Sequence, residues 1–368
     1  MQGIESFIQQ LSGIELHLHA EGAIPKDFLW LKRRKNDSQL TREQFEAEFN
    51  YSNFKEFVKH WCLHQKLLFA KPEAYDNFEE SKDLRVHPAP TELLPVIAKS
   101  LITQRINYAE LHVSPIDGCF MAFGRDLTRF PDFYLQIVKA WQLACQQWNQ
   151  QNSERLTIKL ILDLVRNYPS EILKFQIDCL SSLQDETDQF VAVGLGGGND
   201  SKSLLEFKSS FAKTRDMGLG LVVHAGEHLP VEVASRELGE ALELGVDRIG
   251  HGIYGFQDHI KRLIDQQVTL EICPTSNLMT GSVTDMKYHP LKVLIESEVK
   301  YVVGSDDPVY FGTTFWNEMQ LVSKISYGGS ERDQKKGIQS LLIAAIEASY
   351  ADDNLKKVLL KKIYGVVL

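Results

Sequence analysis

The chain opens on a period-two alternation. In IELHLHAEG, residues 14–22, Ile14, Leu16 and Leu18 alternate with Glu15, His17 and His19. That spacing predicts a strand with both imidazoles on one face and the aliphatic side chains on the other. Ala20, Glu21, Gly22 and Ala23 follow, with Pro25 soon after, so the histidines fall at the carboxyl end of the strand where a loop begins. Over residues 27–95 the period changes: Phe54, Phe57, Val58, Trp61, Cys62, Leu67 and Leu68 recur at helical spacing. A long helical insertion after the first strand is expected, either closing over a barrel mouth or packing as a subdomain. From there the chain alternates. A helix over 93–105 precedes a second strand at 107–115, and a loop over 114–129, with Gly118 and Gly124, leads into a helix over 133–148. Further strands are expected at 157–165, 191–198, 220–227, 248–252, 268–274 and 300–308, with helical segments between them and two more helices at 334–349 and 353–362. Eight strands joined by helical crossovers predict an α/β chain folded as one (β/α)8 TIM-like barrel over residues 1–368. No linker, low-complexity tract or fixed-period repeat divides it.

Composition narrows the classes. A net charge of -9 over 368 residues argues against a nucleic-acid groove, and the densest positive patch, residues 32–35, reads as a solvated helix face. Five cysteines without CxxC spacing fit a reduced cytoplasmic protein better than a disulfide framework or a zinc ribbon. The amino terminus lacks the basic and apolar regions of a signal peptide, and charge interrupts every apolar run short of a membrane span. A soluble, cytoplasmic protein is expected, and nothing in the sequence sets its oligomeric state.

The pair His17 and His19 alone reads two ways, as one ion shared by two imidazoles or as two rings satisfied by backbone carbonyls. The barrel decides between them. His17 and His19 end strand one, His224 and Glu227 strand five, His251 strand six, and Asp306 and Asp307 strand eight, so all converge at one mouth. Three imidazoles with one or two carboxylates match the needs of a catalytic zinc with a position left for water. Gly226, Gly250 and Gly252 flank these residues, and Gly196, Gly197 and Gly198 either expose amides to a flat polar substrate or make a tight turn. No Lys-Ser/Thr pair or GxGxxG unit supports a phosphate loop. His60 and His64 share a helix face but lack the glutamate of HExxH, so they read as ordinary, partly buried histidines.

HLHAEG at 17–22, HAGE at 224–227, RIGHG at 248–252, EICPTSN at 271–277 and SDDP at 305–308 form a series that resembles the adenosine deaminase family, in the family's order and across nearly the whole chain. The resemblance implies hydrolytic deamination of a 6-aminopurine at one zinc per chain, held by His17, His19, His224 and Asp306. It implies that Glu227 handles the proton on ring nitrogen 1, that His251 and Asp306 orient the water, that Asp307 faces ring nitrogen 7 and that the Gly197 amide meets ring nitrogen 3. His19 and Glu21 would also touch the substrate. The chemistry agrees: replacing an exocyclic amine by oxygen calls for a water of lowered pKa, an acid beside the ring and a polar group at the developing alkoxide.

Three departures concern the sugar side. Glu21 stands where adenosine deaminases usually carry aspartate and resembles the adenine deaminase and aminodeoxyfutalosine deaminase branches, with Ala20 leaving space beside it. His112 replaces a common arginine and reads as structural; Gly194 replaces an acidic residue. A purine nucleoside, adenosine or a 5'-modified relative, is the expected substrate, with adenine or aminodeoxyfutalosine as alternatives. Phe69, Phe120, Met121 and Phe123 read either as its wall or as packing. Two rivals are a two-metal hydrolase, which would want a bridging lysine that VAVGLGGG lacks, and a nonenzymatic nucleoside-binding protein, which would be expected to have lost one of these polar residues. The HxE and PCxxC pair of cytidine-type deaminases is absent.

Overall fold

The computed structural model describes residues 3–51, 53–69, 87–183, 188–198, 202–228 and 230–366. Its centre is a sheet of eight parallel strands, each hydrogen-bonded to the next: β1 (Gly13–His19), β2 (Ile106–Val113), β3 (Thr157–Val165), β4 (Phe190–Gly196), β5 (Gly220–Ala225), β6 (Arg248–His251), β7 (Thr269–Ile272) and β8 (Tyr301–Val303). The ring closes where Leu18 bridges Asp306: the His19 N–H donates to the Asp306 carbonyl at 3.0 Å and the Asp306 N–H to the His17 carbonyl at 2.9 Å. The predicted barrel is the observed one.

Alternation on β1 works as its pattern predicts. Ile14, Leu16 and Leu18 are fully buried under the surrounding helices, while Glu15 and His17 face the barrel axis. The interior there is charged rather than aliphatic. Arg248 on β6 donates across the barrel to Glu110 on β2 at 2.5 Å, and its Nε lies 2.6 Å from Glu271 on β7, an ion-pair contact without hydrogen-bond alignment. Burying such groups is tolerable only because they face one another.

The insertion begins with helices Lys26–Asn36, Arg42–Ala47 and Phe54–Leu68, the last capped by the Asn53 side chain accepting from the Glu56 N–H at 3.1 Å. Residues 70–86, the rest of the expected insertion before the crossover helix, lie outside the described residues. The crossover helix, Pro88–Thr103, starts ahead of the expected boundary because Pro88 in its first turn has no N–H to satisfy, and Pro95 is accommodated inside it. Residues 114–129 differ more. They form helix Pro115–Phe123 and a 3-10 turn, Leu127–Arg129, rather than a loop. Gly118 is there for closeness, not for a turn: a Cβ on it would lie 2.9 Å from Ile137 on helix Phe130–Asn152. Phe69 is buried, and Phe120 stacks on Tyr168 with centroids 4.2 Å apart. Among the described residues no helix is long and apolar enough to cross a membrane.

Candidate active site

At the carboxyl ends of the strands lies a cavity of about 340 Å³, within the range of small-molecule sites. His19, Glu21, Gly197, His224, Glu227, His251, Asp306 and Asp307 all line it. His17 sits directly beneath, fully buried. Its wall comes from Phe57, Val58 and Trp61 on helix Phe54–Leu68; Phe69, Phe120, Met121 and Phe123 do not line it.

Three imidazoles are set for coordination. His17 Nδ1 donates to Glu271 at 2.6 Å, so the lone pair falls on Nε2, which is buried without a hydrogen-bond partner and 3.8 Å from Asp306 Oδ1. His224 Nδ1 faces the Leu195 carbonyl at 3.2 Å and donates to it, again freeing Nε2. His19 Nε2 lies 3.4 Å from Asp306 Oδ1. Ligand atoms of His17, His19 and His224 lie within 4.8 Å of one another. An orphaned lone pair in this cluster is what a bound cation would satisfy, and the donor set of three nitrogens and a carboxylate oxygen fits zinc.

Charge supports the fit. His224 is driven well below the usual histidine range by burial and by His17 and His251, which suits a neutral ligand. Burial opposes a charge on His19, yet Asp307, Asp306, Asp163 and Glu21 push it up to about 9. So many carboxylates around one ring call for positive charge, which a dication supplies.

Further ionisable groups stand beside this cluster. His251 Nδ1 accepts from the Asn277 amide at 3.2 Å, so its Nε2–H points at Glu227 Oε2, 3.6 Å away, and at Asp306 Oδ2, 4.0 Å away. Burial alone would raise Glu227, but His251 and His228 hold it well below the usual carboxylate range. Asp306 Oδ2 accepts from Ser276 at 2.6 Å. Asp307 is pushed well above the carboxylate range by burial and by Asp306, and its Oδ1 has no partner. Gly22 leaves it room: a Cβ there would lie 1.8 Å from Asp307 Oδ1. Gly197 takes φ +101°, and a Cβ would meet Asn167 at 2.5 Å, so the turn and the close approach both need glycine. His251 and Asp306 themselves have φ of 62° and 60°, a strain of about 1–3 kcal/mol each that clusters at working sites.

Two more carboxylates serve the site without standing out in the sequence. Glu271 fixes the tautomer of His17 from inside the EICPTSN motif. Asp163, at the end of β3, lies 3.8 Å from His19 Nδ1 and 3.5 Å from His112 Nδ1. It also accounts for Gly194, where a Cβ would lie 2.4 Å from Asp163 Oδ1; a side chain there is replaced by a carboxylate from the neighbouring strand. A carboxylate near the carboxyl end of a mostly aliphatic strand was the available signal. His112 is fully buried against the rings of His17, His19 and His224 and does not line the cavity, as a supporting residue would be. His64 is likewise structural and fully buried, bonded to Glu48 and to the Tyr310 hydroxyl at 2.8 Å each.

Comparison with known proteins bears on this arrangement. An adenine deaminase from Rhizobium leguminosarum bv. trifolii is 26% identical over 357 residues, covering 96% of this chain and 99% of that protein. An aminodeoxyfutalosine deaminase from Streptomyces coelicolor is 28% identical over 361 residues, covering 95% and 82%. The crystal structure of an adenine deaminase from Arthrobacter aurescens superposes with a TM-score of 0.75 at 22% identity, covering 95% of this chain and 97% of that one. The family profile of adenosine deaminase matches residues 13–366. The chain therefore belongs to the adenosine deaminase family and is a hydrolytic deaminase of adenine-type substrates.

Proposed function

We propose that the protein is a zinc-dependent deaminase of a 6-aminopurine nucleoside, adenosine or a 5'-modified relative, and that His17, His19, His224 and Asp306 hold one zinc ion per chain. The observation that carries this reading is the unpartnered His17 Nε2 among three imidazoles and a carboxylate, directly under a cavity larger than a bare purine needs. When bound, zinc would supply a water of lowered pKa at neutral pH.

The chain's own groups do the rest. His251 presents Nε2–H to the incoming water and, with Asp306, directs it at carbon 6. Glu227 meets the substrate ionised, accepts a proton from that water and passes it to ring nitrogen 1, making carbon 6 electrophilic. Asp307 is kept protonated by its surroundings and donates to ring nitrogen 7, while the Gly197 amide meets ring nitrogen 3. Once the oxygen has added to carbon 6, the again ionised Glu227 moves that oxygen's remaining proton to the exocyclic nitrogen, the carbon–nitrogen bond breaks and ammonia leaves, giving the 6-oxopurine. His19 and Glu21 border the sugar. A second reading, free adenine as substrate, is favoured by the relative named adenine deaminase and by Glu21 in place of aspartate.

The test is turnover of adenine, adenosine, 5'-methylthioadenosine and aminodeoxyfutalosine by ultraviolet difference, with metal counted per chain. A nucleoside turned over fastest at one zinc per chain is expected. Adenine as the sole good substrate selects the second reading, and no change with any of the four refutes both.

A further inference from the structure

His228 follows Glu227 directly and does not line the cavity. Its ring turns back on its neighbour instead. Nε2 lies 3.2 Å from Glu227 Oε2, and Nδ1 lies 2.7 Å from the Ser282 hydroxyl, which stands 3.3 Å from Glu227 Oε1. Both carboxylate oxygens and both ring nitrogens thus belong to one closed loop. Tyr254 braces it by donating its hydroxyl proton to the Ser282 carbonyl at 2.9 Å, and the Phe54 ring lies 5.8 Å from the imidazole, 60° from parallel.

Proton accounting gives the loop a charge state. A doubly protonated ring donates Nε2–H to Oε2 and Nδ1–H to Ser282, which leaves the Ser282 proton for Oε1, so every donor meets an acceptor. A neutral ring with its proton on Nε2 would draw the Ser282 proton to Nδ1. Oε1 would then keep only the Thr280 hydroxyl at 3.5 Å, which also lies 2.9 Å from the Ser276 carbonyl. Burial opposes a charge on His228, but Glu227 and then Glu237 raise it above the usual histidine value, against Arg166. From β6, His251 Nε2 approaches the same Oε2 at 3.6 Å.

Resting on the deaminase reading above, we propose that His228, acting with Ser282, is a positioning residue that grips both oxygens of Glu227 and fixes the carboxylate for proton transfer to the purine. The grip also gives that transfer a direction. Once Glu227 has taken a proton from the water, a cation at its side favours giving it up again, and ring nitrogen 1 receives it.

The experiment measures kcat and KM of zinc-loaded variants with the purine turned over fastest. His228→Leu should lower kcat about 10–100-fold, the worth of a charge-assisted hydrogen bond, with KM within about twofold and zinc content unchanged. His228→Gln, whose amide still donates to Oε2, should lose only about three- to tenfold. In the Glu227→Gln background His228→Leu should cost nothing further, since its route to the reaction is gone. An unmoved kcat in His228→Leu, or the full loss repeated in the Glu227→Gln background, overturns the proposal. Nitrogen NMR of the His228 ring, assigned by its loss in His228→Gln, reads the grip without turnover: both nitrogens protonated at neutral pH in the wild type and one in Glu227→Gln is expected. The same ring state in both overturns the proposal, even where His228→Leu does not fold. If no 6-aminopurine is turned over, the deaminase reading fails on its own, and the ring state still decides whether His228 grips Glu227.

Discussion

Glu227 and Glu271 are both carboxylates beside a histidine, and their remaining neighbours separate their tasks. Burial opposes charge on Glu271, but Arg248 and His17 hold it at about 2. It is a permanent anion that steers the His17 ring. Glu271→Gln should weaken zinc binding about 10–100-fold, as loss of such supporting contacts does, read by chelator competition; unchanged affinity would remove it from that role. Glu227 instead lies in the cavity wall. Glu227→Gln should keep metal and ligand but lower kcat about 10²–10⁴-fold, measured by zinc content, product-analogue binding and turnover, and near-normal turnover would contradict the assignment. The motifs made His19, Glu21, His224, Glu227, His251, Asp306 and Asp307 legible among the cavity-lining residues, because each sits at a strand end among glycines. Glu271 and Asp163 were not, since their partners, Arg248 and His17 for one and His19 and His112 for the other, lie on different strands and only the closed ring brings them together.

At the level of elements, helix Phe54–Leu68 shapes the cavity through Phe57, Val58 and Trp61 while His64 anchors it to Glu48 and Tyr310. His64→Leu leaves the Tyr310 hydroxyl without that partner and should destabilise by about 1–3 kcal/mol. Because the helix carries wall rather than reacting groups, KM should rise more than kcat falls; urea midpoints and steady-state kinetics check this. Strand periodicity was readable because each strand has one face on the helices and one on the barrel axis. Helix Pro115–Phe123 was not, because Gly118 signals a turn when isolated, and only the nearness of Ile137 reveals a packing reason.

For the whole molecule, His289 links stability to pH. Its Nδ1 accepts from the Leu291 N–H at 3.0 Å and its Nε2–H meets Asn277 at 3.2 Å, an arrangement open only to the neutral ring. Burial, and His251 beyond it, lower it from 6.5 to about 4. Above about 6.5 both folded and unfolded chains carry it neutral; as pH falls toward 4 only the unfolded chain gains the proton, so stability is lost by up to about 1.4 kcal/mol per pH unit. His289→Gln should flatten that slope in urea titrations over the same window, and an unaltered slope would clear His289.

The seam of the ring is stitched through residues of the candidate site, Leu18 against Asp306 with His17 and His19 on either side. A growing polypeptide thus carries its opening histidines without their Asp306 neighbour until the final strand leaves the ribosome. Chains cut short in synthesis are left with an open ring and no chemistry, so completion of the fold and acquisition of activity are a single event.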